Sequence, residues 1–331
     1  MIGTALTVTV TRGGVAESRH AISAAIVRGN ELLAGWGDLE GNVFARSSLK
    51  PLQALAVLGR DAALSAERAA LASASHNGEP VHVDSVMRWL TDLGLGADAL
   101  ECGAHPPIDP SSAGALIAAH AQPGREHNNC SGKHCGFLQL ARHLDVDPRG
   151  YTDRDHPVQV EVRRQLGRML DIDMAALPWG VDGCGAPICA LPLATLACGF
   201  SRLAMPDGLP ADLAASARGI FAAMANTPYL VAGRDRFDTA AMQALPGRII
   251  VKGGAEGVLA AADGQSGIGI AVKVHDGAKR AAEVAMAALL ARVLGRDGLV
   301  IAEMATVPVV NAEGRHVGAV HPEQKGLSSW T

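Results

Sequence analysis

Residues 46–51 read Arg-Ser-Ser-Leu-Lys-Pro, and this stretch constrains the fold more than any other part of the chain. Proline has no backbone N–H, so Pro51 fits a helix only within its first turn. Leucines then recur every three positions, which predicts a helix over 51–58. Ser47 is therefore expected at a helix N-terminus, with Lys50 one turn further along the same face.

Ser47 and Lys50 have the Ser-x-x-Lys spacing of a serine nucleophile and its base. A serine hydroxyl needs a base to take its proton, and a lysine can do so when burial or a second cation keeps it neutral. The N–H groups of a helix N-terminus would stabilise a developing oxyanion. The same pattern is also typical of a capped helix with a solvent-exposed lysine, so it leaves both readings open.

Two further motifs follow in chain order. Residues 73–79 contain Ser75-x-Asn77, and Lys252 ends an apolar strand beside two glycines. Taken separately, the first fits a polar turn and the second a surface lysine. The order Ser-x-x-Lys, Ser-x-Asn, Lys-x-Gly is that of penicillin-binding proteins and serine β-lactamases. Together the three motifs favour catalysis, with Lys252 supplying the charge that keeps Lys50 neutral.

Both ends of the chain show strand patterns, and the middle shows helical spacing. We expect strands over 4–10, 20–28, 31–36, 248–252, 257–261 and 267–275, and helices over 81–93, 112–121, 157–170, 210–225 and 278–295. This predicts an α/β (α+β) fold of the β-lactamase and penicillin-binding-protein type, with one sheet built from both termini around a mostly helical insertion. The expected parts are 1–61 with 235–331, and 62–234, forming one compact unit.

Composition excludes several classes of function. The 331 residues include 29 Lys and Arg against 33 Asp and Glu, a net charge of −4, which argues against nucleic-acid or membrane binding. We find no apolar run of about 20 residues and no secretion signal, so a cytoplasmic protein is expected. Six cysteines in so long a chain indicate thiols or metal thiolates, not a disulfide scaffold.

Residues 128–136 and 182–187 form two polar stretches rich in cysteine and glycine. The first contains Cys130, Lys133 and His134, and the second contains Cys184. Cysteine and histidine are the usual protein ligands of zinc. Neither stretch has the paired Cys-x-x-Cys of a structural zinc site, so two loops lined by buried thiols are an equally valid interpretation.

Four blocks of sequence resemble the signatures of the Rhizobium etli type (class 3) L-asparaginases. The blocks are residues 46–54, 74–79, 129–134 and 182–184, and the resemblance runs from about residue 8 to 320. The Asn-Cys-Ser-Gly-Lys-His block is the most specific of the four. This family is related in fold to serine β-lactamases and glutaminases, in agreement with the motif order above.

The resemblance implies a homodimeric hydrolase that converts L-asparagine and water into L-aspartate and ammonia. It implies two Ser-Lys tandems, Ser47 with Lys50 and Ser75 with Lys252. It also implies a zinc ion near the active site, with the ligands Cys130, Lys133 and Cys184 and with Asp182 close by.

The mechanism that follows is nucleophilic acyl transfer. Ser47 is expected to attack the carboxamide and Ser75 to relay protons. Arg46 is expected to bind the substrate α-carboxylate, and Asp182 or Glu79 its ammonium group. His134 and Gly253 complete the predicted substrate contacts.

Two alternatives stay open at this point. A glutaminase or another small amidase could use the same serines, because one carbon in the substrate changes discrimination by only about 1–3 kcal/mol. A non-catalytic protein that binds zinc or a small molecule is the alternative from a different class, and the intact Ser-Lys motifs argue against it.

Overall fold

The computed structural model of the chain describes residues 2–323 and contains two compact units. The first unit comprises the chain up to Ser48, Leu191–Met205, and the chain from Arg248 onward. The second comprises Leu49–Ala190 and Pro206–Gly247. Relative to the expected boundaries at 61 and 235, the helix after Ser48 belongs to the second unit.

The strands, numbered in chain order, are β1 (Ile2–Gly3), β2 (Leu6–Arg12), β3 (Val15–Arg28), β4 (Glu31–Trp36), β5 (Asn42–Phe44), β6 (Trp179–Val181), β7 (Pro187–Pro192), β8 (Ile249–Gly253), β9 (Val258–Asp263), β10 (Ile268–Val274), β11 (Val307–Val310) and β12 (His316–Pro322). The α-helices are α1 (Lys50–Leu58), α2 (Ala66–Ala72), α3 (Pro80–Asp92), α4 (Pro110–Ala118), α5 (Ser131–Leu144), α6 (Pro157–Leu170), α7 (Leu193–Ala204), α8 (Ala211–Asn226), α9 (Pro228–Val231), α10 (Phe237–Ala244), α11 (Lys279–Leu294) and α12 (Leu299–Ala302). A 3₁₀ turn, Arg46–Leu49, leads directly into α1.

The first unit is built on a nine-stranded sheet with the order β11-β12-β2-β3-β10-β9-β8, to which β4 and β1 are added beside β3. Except for the short β1–β4 pair, neighbouring strands are antiparallel. The N-terminal strands β2–β4 and the later strands β8–β10 meet where β3 pairs with β10. This confirms the prediction of a mixed α/β fold with one sheet built from both ends of the chain.

Helices α7 and α11 pack against this sheet. The backbone of β10 approaches α7 so closely that a Cβ on Gly269 would lie 2.1 Å from the carbonyl oxygen of Ala197. Glycine is therefore required there for packing. The C-terminal strands β11 and β12 were not predicted, and β12 pairs with β2.

The second unit is mostly helical, as predicted for the middle of the chain. Helix α1 is central to it, because all nine of its residues are buried and it packs against α2, α5, α6 and α8. A helix that is enclosed on every side needs no polar face. The predicted helix over 51–58 is thus confirmed, and it places Lys50 in the interior.

The polar stretch 128–136 differs from expectation, because it is a loop only as far as Cys130 and then begins α5. Its glycines serve packing. A Cβ on Gly132 would lie 2.3 Å from the carbonyl oxygen of Leu71, so α5 could not approach α2 with any other residue there. Among the described residues, none of the helices combines the length and apolar character needed to cross a membrane.

Candidate active site

The amine of Lys50 is held in the interior of the second unit by three oxygen atoms. Lys50 is 1% exposed. Its Nζ lies 2.7 Å from the carbonyl oxygen of Ala74, 2.8 Å from Ser75 Oγ and 3.4 Å from the carbonyl oxygen of Asn129. A protonated Lys50 donates to all three. A neutral Lys50 donates to the two carbonyls and accepts from the Ser75 hydroxyl.

The Ser75 segment is held in place by backbone and side-chain hydrogen bonds. The N–H of Ser75 donates to Val231 O at 2.9 Å, and the N–H of Asn77 donates to Ala232 O at 2.9 Å. The side-chain amide of Asn77 donates to Arg234 O at 2.9 Å. The asparagine of the Ser-x-Asn motif therefore fixes the loop that presents Ser75.

Glu79 lies in a closed network in which it is 2% exposed. Its carboxylate accepts from the hydroxyl of Tyr229, from the N–H of Arg234 at 2.8 Å and from the amide of Asn77 at 3.2 Å. Burial alone would raise the pKa of Glu79, but these hydrogen bonds outweigh burial and lower the pKa. With its oxygens so occupied, Glu79 is a weaker candidate than Asp182 for contacting a substrate ammonium group.

Four of the predicted site residues, Arg46, Ser47, Lys252 and Gly253, lie in the first unit. Arg46 has a left-handed backbone with φ 50°, a conformation that is uncommon for a non-glycine residue and is found at functional turns. Ser47 follows it and is half-buried. The next hydroxyl, that of Ser48, donates to Ala45 O at 2.6 Å and so stabilises the turn.

Strand β8 carries Lys252 to the same turn. Lys252 is fully buried, and its Nζ donates to Gly253 O at 2.7 Å. A Cβ on Gly254 would lie 2.9 Å from Ala45 O and 3.2 Å from the backbone nitrogen of Ser48. Glycine at 254 therefore allows the end of β8 to reach the turn that presents Ser47.

A cluster of sulfur, nitrogen and carboxylate groups forms at the start of α5, and we call it the thiol cluster: Cys130, Lys133, Asp182 and Cys184. Lys133 Nζ lies 3.0 Å from Cys184 Sγ. The sulfurs of Cys130 and Cys184 and a carboxylate oxygen of Asp182 all lie within 4.8 Å of one another. Cys130 and Lys133 share one helix face, and the turn between β6 and β7 supplies the other two residues.

The charges within the thiol cluster are mutually dependent. A hydrogen bond from the Cys130 thiol is the main reason that the pKa of Cys184 is lowered, and the positive charge of Lys133 adds to it. The same hydrogen bond and burial raise the pKa of Cys130. Burial would lower the pKa of Lys133, but the negative charge of Cys184, with further contributions from Cys130 and Asp182, outweighs it and raises the pKa.

His134, the next residue on α5, is fully buried beside the cluster. Its Nδ1 lies 2.7 Å from the hydroxyl of Tyr151, which accepts from the N–H of Glu101 at 2.7 Å. Tyr151 therefore links the ring of His134 to the backbone of Glu101.

A profile of the L-asparaginase II family matches residues 8–322, nearly the whole chain. The chain belongs to the L-asparaginase II family. Membership implies a hydrolase that acts on amides and takes a small-molecule substrate. No curated protein sequence matches the chain.

Two solved structures are similar to this L-asparaginase II family member. A β-lactamase from Mycobacterium bovis shares 16% identity with a TM-score of 0.45, covering 84% of this chain and 95% of that one. A protein from Bacteroides dorei, named provisionally as a β-lactamase, shares 12% identity with a TM-score of 0.41, covering 77% of this chain and 85% of that one.

Sequence reasoning about this family member missed two contacts of the site. It did not anticipate the hydrogen bond between Ser75 and Lys50, 25 residues earlier. It also missed Arg236, whose Nη1 donates to Ser75 O at 3.1 Å. No spacing rule connects residues so far apart in the chain, so a single sequence carries no signal for either contact.

Proposed function

We propose that this protein is an L-asparaginase of the Rhizobium etli type that hydrolyses L-asparagine to L-aspartate and ammonia through an acyl-enzyme. The observation that carries the proposal is the Lys50 amine, buried and bonded to two carbonyls and the Ser75 hydroxyl. All three contacts suit the neutral amine, so Lys50 can exchange a proton with Ser75.

In the proposed first step, the Ser47 oxygen forms a bond to the carboxamide carbon and its proton passes through Ser75 to Lys50. The C–N bond then breaks, and Lys50 returns the proton to the leaving nitrogen, which departs as ammonia. Water attacks the resulting ester, Lys50 accepts a proton from it, and the proton returns to Ser47 as aspartate leaves. The strained turn at Arg46 supports Ser47 as the nucleophile.

The remaining substrate contacts are assigned by chemistry. Asp182 is the proposed partner of the substrate ammonium group. Lys252, Gly253 and His134 are proposed to border the substrate, with Lys252 as the second lysine of the tandem.

We also propose that the thiol cluster holds zinc. Zinc bonds of about 2.3 Å to sulfur and 2.0–2.2 Å to nitrogen or oxygen place neighbouring ligand atoms about 3.5–3.8 Å apart, a spacing that the cluster accommodates. Cys130, Lys133 and Cys184 would hold the ion, with Asp182 as a further donor. A bound zinc ion would supply a Lewis acid that orients the polar groups of the substrate.

The catalytic proposal is tested by ammonia release from L-asparagine and L-glutamine, together with hydrolysis of a β-lactam. We expect wild-type activity on L-asparagine and a loss of about 10³-fold or more in Ser47→Ala. Ser75→Ala should lose about 10²- to 10⁴-fold, the range for proton transfer. Ser48→Ala is the matched control, because its hydroxyl only bonds the turn, and it should stay within about threefold of wild type.

Each alternative has its own signature in this experiment. Activity that survives in Ser47→Ala but not in Ser75→Ala would make Ser75 the nucleophile. Preference for L-glutamine would make the protein a glutaminase. Absence of turnover of every amide by the wild type would overturn the catalytic proposal and favour a binding protein.

The zinc proposal is tested separately by metal content. Mass spectrometry should find about one zinc ion per chain in the wild type and in Cys198→Ser, whose thiol lies on α7 outside the cluster. Cys184→Ser should contain less than about a tenth of that amount. Equal zinc in all three proteins would refute this site. The proposed homodimer is tested by sedimentation of the wild type.

A further inference from the structure

Arg236 lies immediately before α10 and contacts the loop that presents Ser75. Its Nη1 donates to Ser75 O at 3.1 Å and to Asn77 Oδ1 at 3.0 Å. Its Nε is buried and has no hydrogen-bond partner among residues 2–323. The guanidinium is therefore anchored at one nitrogen, while a second buried donor has no acceptor.

A buried donor without an acceptor is costly, most of all on a charged group that cannot lose its proton. Such groups in native proteins call for an explanation, and a ligand is one of the few available. Nε and Nη2 form the side of a guanidinium that pairs with a carboxylate through two parallel hydrogen bonds. Since the nitrogen bonded to the loop is Nη1, the contacts with the loop do not use the pair Nε and Nη2 that would bind a carboxylate.

The neighbouring Arg234 differs from Arg236 in its partners. Its side chain is exposed, and its Nη2 lies 3.5 Å from Glu79 Oε2, so it already has an anionic partner. Within the described part of the chain, the hydrogen-bond partners of Arg236 are the neutral atoms Ser75 O and Asn77 Oδ1 and include no carboxylate. Of the two arginines, only Arg236 combines a buried unpartnered donor with direct contact to Ser75.

We propose that Arg236 binds the α-carboxylate of the substrate through Nε and Nη2, while Nη1 continues to hold the Ser75 loop. This inference rests on the proposed function and replaces Arg46 with Arg236 as the carboxylate partner. The Ser75 loop then connects the hydroxyl bonded to Lys50 with the arginine that recognises an amino acid. Amides without an α-carboxylate lose this contact, so Arg236 selects free amino-acid amides.

The test compares Arg236→Gln, Arg236→Lys, Arg46→Gln and Arg234→Gln with the wild type. Arg236→Gln should raise KM for L-asparagine about 10- to 150-fold, the range for a hydrogen bond to a charged group, and should lower kcat by a smaller factor, because the Ser75 loop also loses its contact with Nη1. Arg236→Lys should raise KM less, because lysine keeps the positive charge but cannot form two parallel hydrogen bonds to a carboxylate. Arg234→Gln is the control and should leave KM within about twofold.

A second readout does not depend on turnover. Calorimetric titration should show L-aspartate binding to the wild type and to Arg234→Gln, with an affinity reduced about 10- to 150-fold in Arg236→Gln. If the wild type hydrolysed no amide but showed this binding pattern, the proposed function would fail and Arg236 would still be the carboxylate partner.

Three results would overturn the inference. Loss of kcat with unchanged KM and unchanged L-aspartate affinity in Arg236→Gln would show that Arg236 only holds the loop. A rise in KM confined to Arg46→Gln would show that Arg46, and not Arg236, binds the substrate α-carboxylate. Absence of L-aspartate binding by the wild type would remove the carboxylate site altogether.

Discussion

Lys50 and Lys133 are both buried in the second unit, 1% and 4% exposed, but Lys50 has neutral hydrogen-bond partners and Lys133 has anionic neighbours. Lys50 is bonded to two carbonyls and a hydroxyl, all of them neutral. Lys133 lies against Cys184 and near Cys130 and Asp182, and the negative charge of Cys184 is the largest effect that raises its pKa. The first environment offers the amine neutral hydrogen-bond partners, whereas the second raises the pKa of its lysine and keeps it charged.

The difference shows that burial alone does not make a lysine a base. Desolvation disfavours the charged form of Lys133, and the neighbouring groups outweigh that effect. Lys133 has anions that cancel it, which makes Lys133 a charge partner of the thiol cluster until a metal replaces its proton. Lys50 has no anion among its three hydrogen-bond partners, which suits proton transfer.

Replacing Lys50 should have the largest effect, and the effect should be on catalysis. Lys50→Met is expected to lower kcat for L-asparagine about 10³- to 10⁴-fold, because it removes the proton acceptor. The free energy of unfolding should fall by about 1–3 kcal/mol, because the carbonyl oxygens of Ala74 and Asn129 lose a donor. Steady-state ammonia release and urea denaturation measure the two quantities.

Lys279→Met is the control for Lys50→Met, because Lys279 is an exposed partner of Glu283 on α11. Both quantities should match the wild type in this variant. A Lys50→Met protein that kept more than about a tenth of wild-type kcat would contradict the role of Lys50 as base.

Replacing Lys133 should act mainly on stability. Lys133→Met leaves the Cys184 thiolate buried without its cation, which should cost about 3 kcal/mol of unfolding free energy. Urea denaturation of chelator-treated protein measures this loss. The double variant Lys133→Met/Cys184→Ser should recover part of the stability, because it removes the unpaired charge. If Lys133→Met were as stable as the wild type, the two groups would not be an ion pair.

Much of the fold could be predicted because local rules governed it. Pro51 and the leucine spacing located α1, and β-branched runs between glycine turns located β2–β4 and β8–β10. The start of α5 was missed because Gly132 was read as a loop residue. Gly132 allows close packing against Leu71, about 60 positions away in the chain, and only the folded structure shows that contact.

The motifs indicated individual residues of the candidate site but not which of them contact one another. The motifs located Lys50 and Ser75, and the structure joined them by a hydrogen bond. Cys130 and Lys133 were near each other by spacing, whereas Cys184 reaches them through the turn between β6 and β7. Arg236 lies in no motif at all, since its importance comes from one unpartnered nitrogen atom.

The position of the Lys133 helix can be tested at its glycines. Gly132→Ala should destabilise the protein by about 1–3 kcal/mol, because its Cβ would lie 2.3 Å from Leu71 O and force α5 away from α2. Gly136→Ala is the matched control on the same helix, with 3.4 Å to the nearest atom, and should change stability by less than about 1 kcal/mol. Similar losses in both would mean that helix propensity, and not close approach, decides the outcome.

The position of the Lys50 helix depends on Glu161 of α6, and this gives the smallest predicted effect. Glu161 accepts from Arg60, just beyond α1, at 3.2 Å and from Arg164 at 2.7 Å. Burial would raise the pKa of Glu161, but the hydrogen bonds from Arg164, Arg60 and Gln165 outweigh it and lower the pKa to about 2.

A carboxylate with a lowered pKa stabilises the folded state above its unfolded pKa of about 4.3, and this contribution is lost as the pH falls toward the folded pKa. Glu161→Gln should therefore cost about 1–2 kcal/mol at pH 7, with the partial exposure of both arginines limiting the effect. The difference from the wild type should shrink steadily between about pH 5 and pH 2. Urea denaturation across that range measures this difference in unfolding free energy. A difference that did not change with pH would mean that Glu161 acts through packing and uncharged hydrogen bonds and not through its negative charge.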